Sequence, residues 1–293
     1  MITAYDFSLF QQDIDQLSLN KSVAIEKIGE SVLKKPIYQL KIGYGPRRVH
    51  WNGGFHGNEW MTSMILVDII RGLVSNKHIF KKVTNCSLEE IFQNITLSVV
   101  PMVNPDGVDL SIHGEKKAEE YVSLVRMLNN GHTTYSSWKA NIRGVDLNKQ
   151  FPARWEEEQK RKPVTPSFRD FPGYAPLTEP ESIAMARLTE YEQFDRVLCF
   201  HSQGEVIYYG YGAKEPHESW ETVRRFNNAS GYEPVQTVDS YAGMKDWFID
   251  VFNKEGYTIE IGKGINPLPL SQYKSNLKKA SQVAYHSLVF HGD

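Results

Sequence analysis

The chain has 293 residues, long for an ordinary domain but within the range of one large α/β domain, and 41% of them are apolar, ample for a sizeable core. A formal charge of −2 argues against a general nucleic-acid or membrane-surface binder, which would carry a marked basic excess. The only cysteines, Cys86 and Cys199, stand in no metal-like spacing, require no disulfide and fit a reducing compartment.

Residues 7–19 carry the apolar spacing of a short amphipathic helix (Phe10, Ile14, Leu17). The opening residues, Met1-Ile2-Thr3-Ala4-Tyr5, lack the basic and apolar regions of a signal peptide, so a cytoplasmic address is expected, and no apolar run approaches a membrane span. Val23–Ile28, Pro36–Gly43 and Arg47–Trp51 read as strands. The third runs into Asn52-Gly53-Gly54-Phe55-His56-Gly57-Asn58-Glu59 and then a helix to about Ser75. Lys81–Glu90 reads as a polar connection, Ile95–Val103 as a central strand rich in β-branched residues, and Asn104-Pro105-Asp106-Gly107 as a turn. A helix is expected over 115–129. From Gly131 to Tyr174 the periodicity dissolves into a stretch too long for a passive connection. Pro180–Gln193 reads as a helix with Thr178 as its cap, Arg196–Phe200 as a buried strand ending at His201, and Val206–Tyr211 as strand or aromatic loop. Helices His217–Ser230 and Met244–Lys254, the strand Tyr257–Ile261 and a closing helix Leu270–Phe290 complete the chain. The same alternation runs on both sides of the irregular stretch. One mixed α/β domain over residues 1–293 is therefore expected, with its site at the C-terminal ends of strands.

His56 and Glu59, three apart where a strand turns into a helix, have the chemistry of two zinc ligands, although His-x-x-Glu is common by chance. His201 ends an apolar strand, where a histidine is either a ligand or a core residue bonded to a carbonyl. Glu260 is a carboxylate inside the short strand Tyr257–Ile261, with apolar neighbours that make full solvation unfavourable. Arg143 precedes Gly144-Val145-Asp146-Leu147-Asn148 and would otherwise be an ordinary surface arginine. Together the residues match metal-assisted amide hydrolysis. His56, Glu59 and His201 form a His₂Glu set for one zinc ion with an open position for water, whose pKa the metal lowers. Glu260 takes the proton and passes it to the leaving amine, and Arg143 polarises the carbonyl. A separate carboxylate available as base favours zinc over iron.

His56-Gly57-Asn58-Glu59, Asn104-Pro105-Asp106-Gly107, Gly144-Val145-Asp146-Leu147-Asn148, Glu179-Pro180-Glu181, Phe200-His201-Ser202 and Thr258-Ile259-Glu260, in that order, resemble the zinc carboxypeptidases of the carboxypeptidase A-like family. The resemblance implies a mixed eight-stranded sheet sandwiched between helices. It also implies zinc on His56, Glu59 and His201, Glu260 as general base and Arg143 as carbonyl assistant.

Two departures bear on the substrate. Peptide-trimming members of that family clamp a terminal carboxylate with Asn-Arg; here the pair is Asn148-Lys149, which keeps the charge but loses the planar fork. The family's specificity position corresponds to Lys245 in Tyr241-Ala242-Gly243-Met244-Lys245-Asp246-Trp247, and a lysine at a pocket floor favours a carboxylate on the substrate. Tyr241 corresponds loosely to the family's mobile capping tyrosine. The run Trp138-Lys139-Ala140-Asn141-Ile142-Arg143 resembles the bacterial branch that cuts γ-D-glutamyl–meso-diaminopimelate bonds in murein peptides. Members of that branch often carry LysM modules. The chain shows none, so a soluble murein-derived peptide is the expected substrate. A carboxypeptidase removing acidic C-terminal residues and an inactive peptide-binding module are the alternatives.

Overall fold

The computed structural model describes residues 3–75, 87–237 and 239–290. An eight-stranded mixed sheet organises the chain, with strand order β1-β2-β4-β3-β5-β8-β6-β7. The strands are β1 (Ala24–Glu30), β2 (Pro36–Gly43), β3 (Arg47–Asn52), β4 (Ile95–Val100), β5 (Arg196–Ser202), β6 (Val206–Tyr208), β7 (Glu233–Val235) and β8 (Glu255–Ile261). The four central strands β4, β3, β5 and β8 are parallel; β1 and β2 on one flank and β6 on the other run antiparallel to their inner neighbours. The expected architecture is therefore present, and seven of its strands carry the sequence signal. The eighth, β7, is a three-residue edge strand containing Pro234, too short for any periodicity.

Helices cover both faces because alternate side chains of each central strand feed two cores. On one face Val49, Trp51, Leu198, Phe200, Tyr257 and Ile259 pack against α1 (Phe7–Ser18), α2 (Trp60–Ser75), α8 (Ser219–Ser230) and α10 (Tyr273–Ser287). On the other, Val197 and Cys199 meet α7 (Pro180–Glu192) and α9 (Met244–Phe252). The period of two then puts His201 and Glu260 on this second face, and they are register partners across β5 and β8.

Three local expectations change. Asn104-Pro105-Asp106-Gly107 is a helix start rather than a free turn. Asn104 accepts from Gly107 N–H as N-cap and Pro105 takes the first position of α4 (Pro105–His113). The expected helix over 115–129 breaks into two short 3₁₀ turns and α5 (Val122–Leu128). Thr178 does not cap α7; its hydroxyl bonds Gln150, and Glu179 is the N-cap residue ahead of Pro180. The polar connection lies partly outside the described residues, as does Cys86. From Ser87 onward it becomes the capping box of α3 (Leu88–Asn94). The long irregular stretch stays irregular apart from one 3₁₀ turn at Leu147–Lys149 and α6 (Trp155–Gln159). No helix among the described residues is long and apolar enough to cross a membrane.

Candidate active site

The metal-ligand segment turns at Gly53-Gly54, where backbone rather than side chains must pass. Gly54 has φ +62°, and a Cβ there would lie 2.5 Å from Ser63 Oγ. Past that corner, His56 and Glu59 lie on one short 3₁₀ turn, and the tip of β5 brings His201 to them. His56 Nδ1 is 2.9 Å from Glu59 Oε1 and 3.3 Å from His201 Nδ1, and His201 Nδ1 is 3.1 Å from Glu59 Oε2. Three buried ligand groups with neighbouring atoms about 3 Å apart suit a tetrahedral ion with ~2.0–2.1 Å bonds, whose ligands stand about 3.3 Å apart.

The protonation pattern supports the same fit. His56 Nε2 lies 3.1 Å from Asp146 Oδ1. An ionised carboxylate can only accept, so Nε2 carries a proton, and with an ion bound Nδ1 would be the bare nitrogen facing the other ligands. Burial opposes charge on His56, but Glu59 and Asp146 outweigh it and raise its pKa to about 9 in the metal-free chain. Burial would raise Glu59, yet His56 and His201 hold it far below the usual carboxylate range. Without an ion the site is thus an anionic Glu59 between a protonated His56 and the His201 imidazole, with Ser202 N–H also donating to Glu59 Oε2 at 3.1 Å. A second cluster, Asp6, Asp109 and His113, is already satisfied by Phe7 N–H, Lys35 and Leu9 N–H.

A cleft of about 420 Å³ opens over the ligands, lined by Glu260, Lys139, Asn148, Lys149, Arg169, Gln203, Ser240 and Asn266 among others. Glu260 Oε2 is buried without a hydrogen-bond partner. Burial, and then the charge of Glu59, raise its pKa well above the ordinary carboxylate range, where a group can both take and return a proton near neutral pH.

The remaining expected residues divide. Asn148 lines the cleft, and its Oδ1 accepts from Met244 N–H. Lys149 also reaches the cleft, but its ammonium is engaged. It donates to Ser240 Oγ at 2.5 Å and Tyr241 C=O at 3.3 Å, and its ion-pair partner Glu158 Oε1 lies 2.6 Å away. Tyr241 is not among the residues lining the cleft; the guanidiniums of Arg154 and Arg161 lie over its ring, 3.8 and 4.6 Å from the centroid. Arg143 is not in the cleft; it faces Glu179 at 3.6 Å and is drawn to Tyr121, with its side chain 44% exposed. The cation in its expected place is Lys139, four residues earlier, whose side chain is one-fifth exposed and which lies 3.9 Å from Asp146 Oδ2 and from Asp170 Oδ1. Lys245 lies in a side cavity that borders the cleft.

The sequence points to Arg143 because it stands directly before Gly144-Val145-Asp146-Leu147-Asn148. Lys139 is set by backbone instead. Lys139 and Ala140 N–H both donate to Phe168 C=O, and Lys139 C=O accepts from Gly57 N–H. Gly57 can have no side chain here, since a Cβ would come within 2.3 Å of Gly107 C=O. Asn104 Nδ2 ties the same junction, donating to Phe55 C=O and Ala140 C=O. Asp146 was also missed as a site residue. A carboxylate able to orient a ligand histidine is its only signal, and nothing in spacing pairs it with His56.

The zinc carboxypeptidase family profile matches residues 11–280. The chain belongs to the zinc carboxypeptidase family. It is a zinc metallopeptidase of a family that uses one zinc, and the His56, Glu59, His201 cluster could hold that ion. Over 277 residues the chain is 44% identical to gamma-D-glutamyl-L-diamino acid endopeptidase 1 of Lysinibacillus sphaericus, covering 94% of this chain and 70% of that one. Its fold superposes on bovine thrombin-activatable fibrinolysis inhibitor with a TM-score of 0.72 at 19% identity, covering 96% and 94% of the two chains. Murein-tripeptide amidase of Escherichia coli O157 shares the fold with a TM-score of 0.56 at 20% identity, covering 92% and 93%.

Proposed function

We propose that this zinc peptidase hydrolyses the γ-D-glutamyl amide of an L-diamino acid in murein-derived peptides, with meso-diaminopimelate as the diamino acid. The observation that carries the reading is the 44% identity, over nearly the whole chain, to a peptidase named for that bond, joined to a complete ligand-and-base set in one cleft.

Zinc, when bound by His56, Glu59 and His201, supplies a Lewis acid and lowers the pKa of water. The chain's residues do the rest. Asp146 accepts the Nε2 proton of His56 and keeps Nδ1 bare for the ion. Glu260 takes the proton released as water attacks and delivers it to the departing amine of the diamino acid. Lys139 presents an ammonium to the oxygen of the scissile carbonyl as its charge develops. The buried ligand walls keep that charge in a low-dielectric setting, where such contacts are strongest.

Two features weigh against trimming of acidic C-terminal residues. Lys149 is already ion-paired with Glu158 and hydrogen-bonded to Ser240 and Tyr241, and Lys245 is already paired with Asp246. An inactive binding module would have no need of an unpartnered Glu260 beside a full ligand set. The test is a peptide panel on zinc-loaded protein, with amine release followed by mass spectrometry. Cleavage of γ-D-glutamyl–meso-diaminopimelate peptides is expected. Removal of C-terminal Glu or Asp from L-peptides without attack on the murein tripeptide would overturn the reading.

A further inference from the structure

Among the lysines and arginines lining the metal cleft, Lys139 serves the carbonyl oxygen and Lys149 is ion-paired with Glu158. Arg169, the third, has no part in that chemistry. Its side chain is half exposed, and its Nε donates to Asp170 Oδ2 at 2.8 Å. Its two terminal NH₂ groups have no partner among the described residues. That end of a guanidinium is the edge that grips a carboxylate through two parallel hydrogen bonds.

The backbone fixes where this arginine stands. Phe168 C=O accepts from Lys139 and Ala140 N–H at 2.9 and 3.1 Å, and Phe171 C=O accepts from Asp146 N–H at 2.7 Å. Arg169 and Asp170 therefore bridge two ties to the segment that carries Lys139 and Asp146. Asp170 has φ +67°, a left-handed conformation that aspartate tolerates. Its carboxylate stands between two cations, with Oδ2 on Arg169 and Oδ1 3.9 Å from Lys139 Nζ. Arg169 is thus spaced beside the cation that meets the scissile carbonyl.

That neighbourhood gives a direction along the substrate. The leaving amine departs toward Glu260, which also borders the side cavity with Asn148, Lys149, Ser240 and Lys245. Arg169 lines the cleft and not that cavity, so it faces the acyl portion. An ordinary α-linked residue presents a side chain and the preceding amide there. A glutamate joined through its γ-carbonyl presents its α-carboxylate instead, beyond a short methylene spacer.

We infer that Arg169 binds the α-carboxylate of the γ-linked glutamate, so that the enzyme distinguishes a free α-carboxyl group from an amidated one. This rests on the γ-D-glutamyl reading and deepens it on the acyl side of the bond. The probes are γ-D-glutamyl–meso-diaminopimelate and its γ-D-isoglutaminyl counterpart, identical except for an α-carboxamide.

On the zinc-loaded wild-type enzyme, kcat/KM for the carboxylate peptide is expected to exceed that for the carboxamide by about tenfold or more. Arg169→Met brings the two within about threefold by lowering turnover of the carboxylate peptide alone. Lost folding or lost zinc would lower both peptides together, so neither imitates this outcome. Calorimetric titration of Glu260→Gln, with and without Arg169→Met, reads the same preference as a ratio of Kd values for uncleaved peptides. Equal or greater kcat/KM on the carboxamide in wild type, or a preference unchanged in Arg169→Met, would overturn the inference and leave the parent reading standing. Cleavage of neither peptide would remove the parent reading and the inference with it.

Discussion

Asp146→Asn isolates one charge behind the metal site. In the native chain a single oxygen, Asp146 Oδ1, accepts from His56 Nε2–H at 3.1 Å and from Asn148 N–H at 3.0 Å. An asparagine with its carbonyl oxygen in that place keeps the shape and both hydrogen bonds; the negative charge goes, and an amide NH₂ replaces Oδ2, which faces Lys139 at 3.9 Å. Hydrogen bonds to charged groups contribute about 1.5–3 kcal/mol, against about 1 for neutral ones. A loss of about 1.4 kcal/mol converts to roughly tenfold weaker zinc binding, and the usual range for such ligand-orienting groups extends to about a hundredfold. The assay is competition for zinc against a chromophoric chelator, with the metal-to-protein ratio at saturation measured alongside. The expected variant binds one zinc at saturation with a Kd raised about 10- to 100-fold. Zinc binding indistinguishable from wild type would refute the claim that Asp146 fixes the tautomer and basicity of His56. Failure to bind any zinc in a folded variant would show that asparagine does not preserve the geometry, and would refute the reasoning from the other side.

Three further outcomes are expected. Lys139→Met should lower kcat about 10²- to 10³-fold, as loss of one oxyanion donor does, while Arg143→Met stays within about threefold of wild type; steady-state kinetics on the two variants decides which cation serves the carbonyl. Because Lys149 is already neutralised by Glu158 and hydrogen-bonded to Ser240 and Tyr241, converting a substrate's terminal carboxylate to an amide should change kcat/KM by less than about threefold, whereas a true carboxylate clamp would cost tenfold or more. His50 is fully buried against Phe194 and Ser98, and burial pushes its pKa down to about 3. Its folded pKa lies below the unfolded value, so its stabilisation is complete above about pH 6.5 and is lost as pH falls toward 3, at up to about 1.4 kcal/mol per pH unit. Urea unfolding of His50→Asn between pH 6.5 and 4.5 should show a flatter pH dependence than wild type; identical slopes would contradict the assignment.

The legible parts of this protein are those whose signal is local or periodic. The apolar run ahead of His201 in Arg196–Phe200 and the short run Tyr257–Ile261 mark central strands, and the strand period of two puts His201 and Glu260 on one face. The ligand pair His56 and Glu59 is legible because both stand on one short turn. Where the outcome depends on contacts between distant segments, the sequence is mute. Lys139 rather than Arg143 enters the cleft because backbone bonds from Phe168 and Gly57 hold residue 139 there, and Glu179 draws Arg143 away. Lys149 reads as a free cation until Glu158, on α6, is seen beside it. Lys245 reads as a lone charge although its neutralising partner is the very next residue, because adjacency along a chain does not fix whether two side chains turn toward each other.

The central claim is that Glu260 moves the proton for a zinc held by His56, Glu59 and His201. Glu260→Gln tests it most directly, with zinc content and turnover of γ-D-glutamyl–meso-diaminopimelate measured on the same preparation. The account predicts one zinc per chain, unchanged, and kcat lower by about 10²-fold or more. Full turnover in that variant would contradict the account.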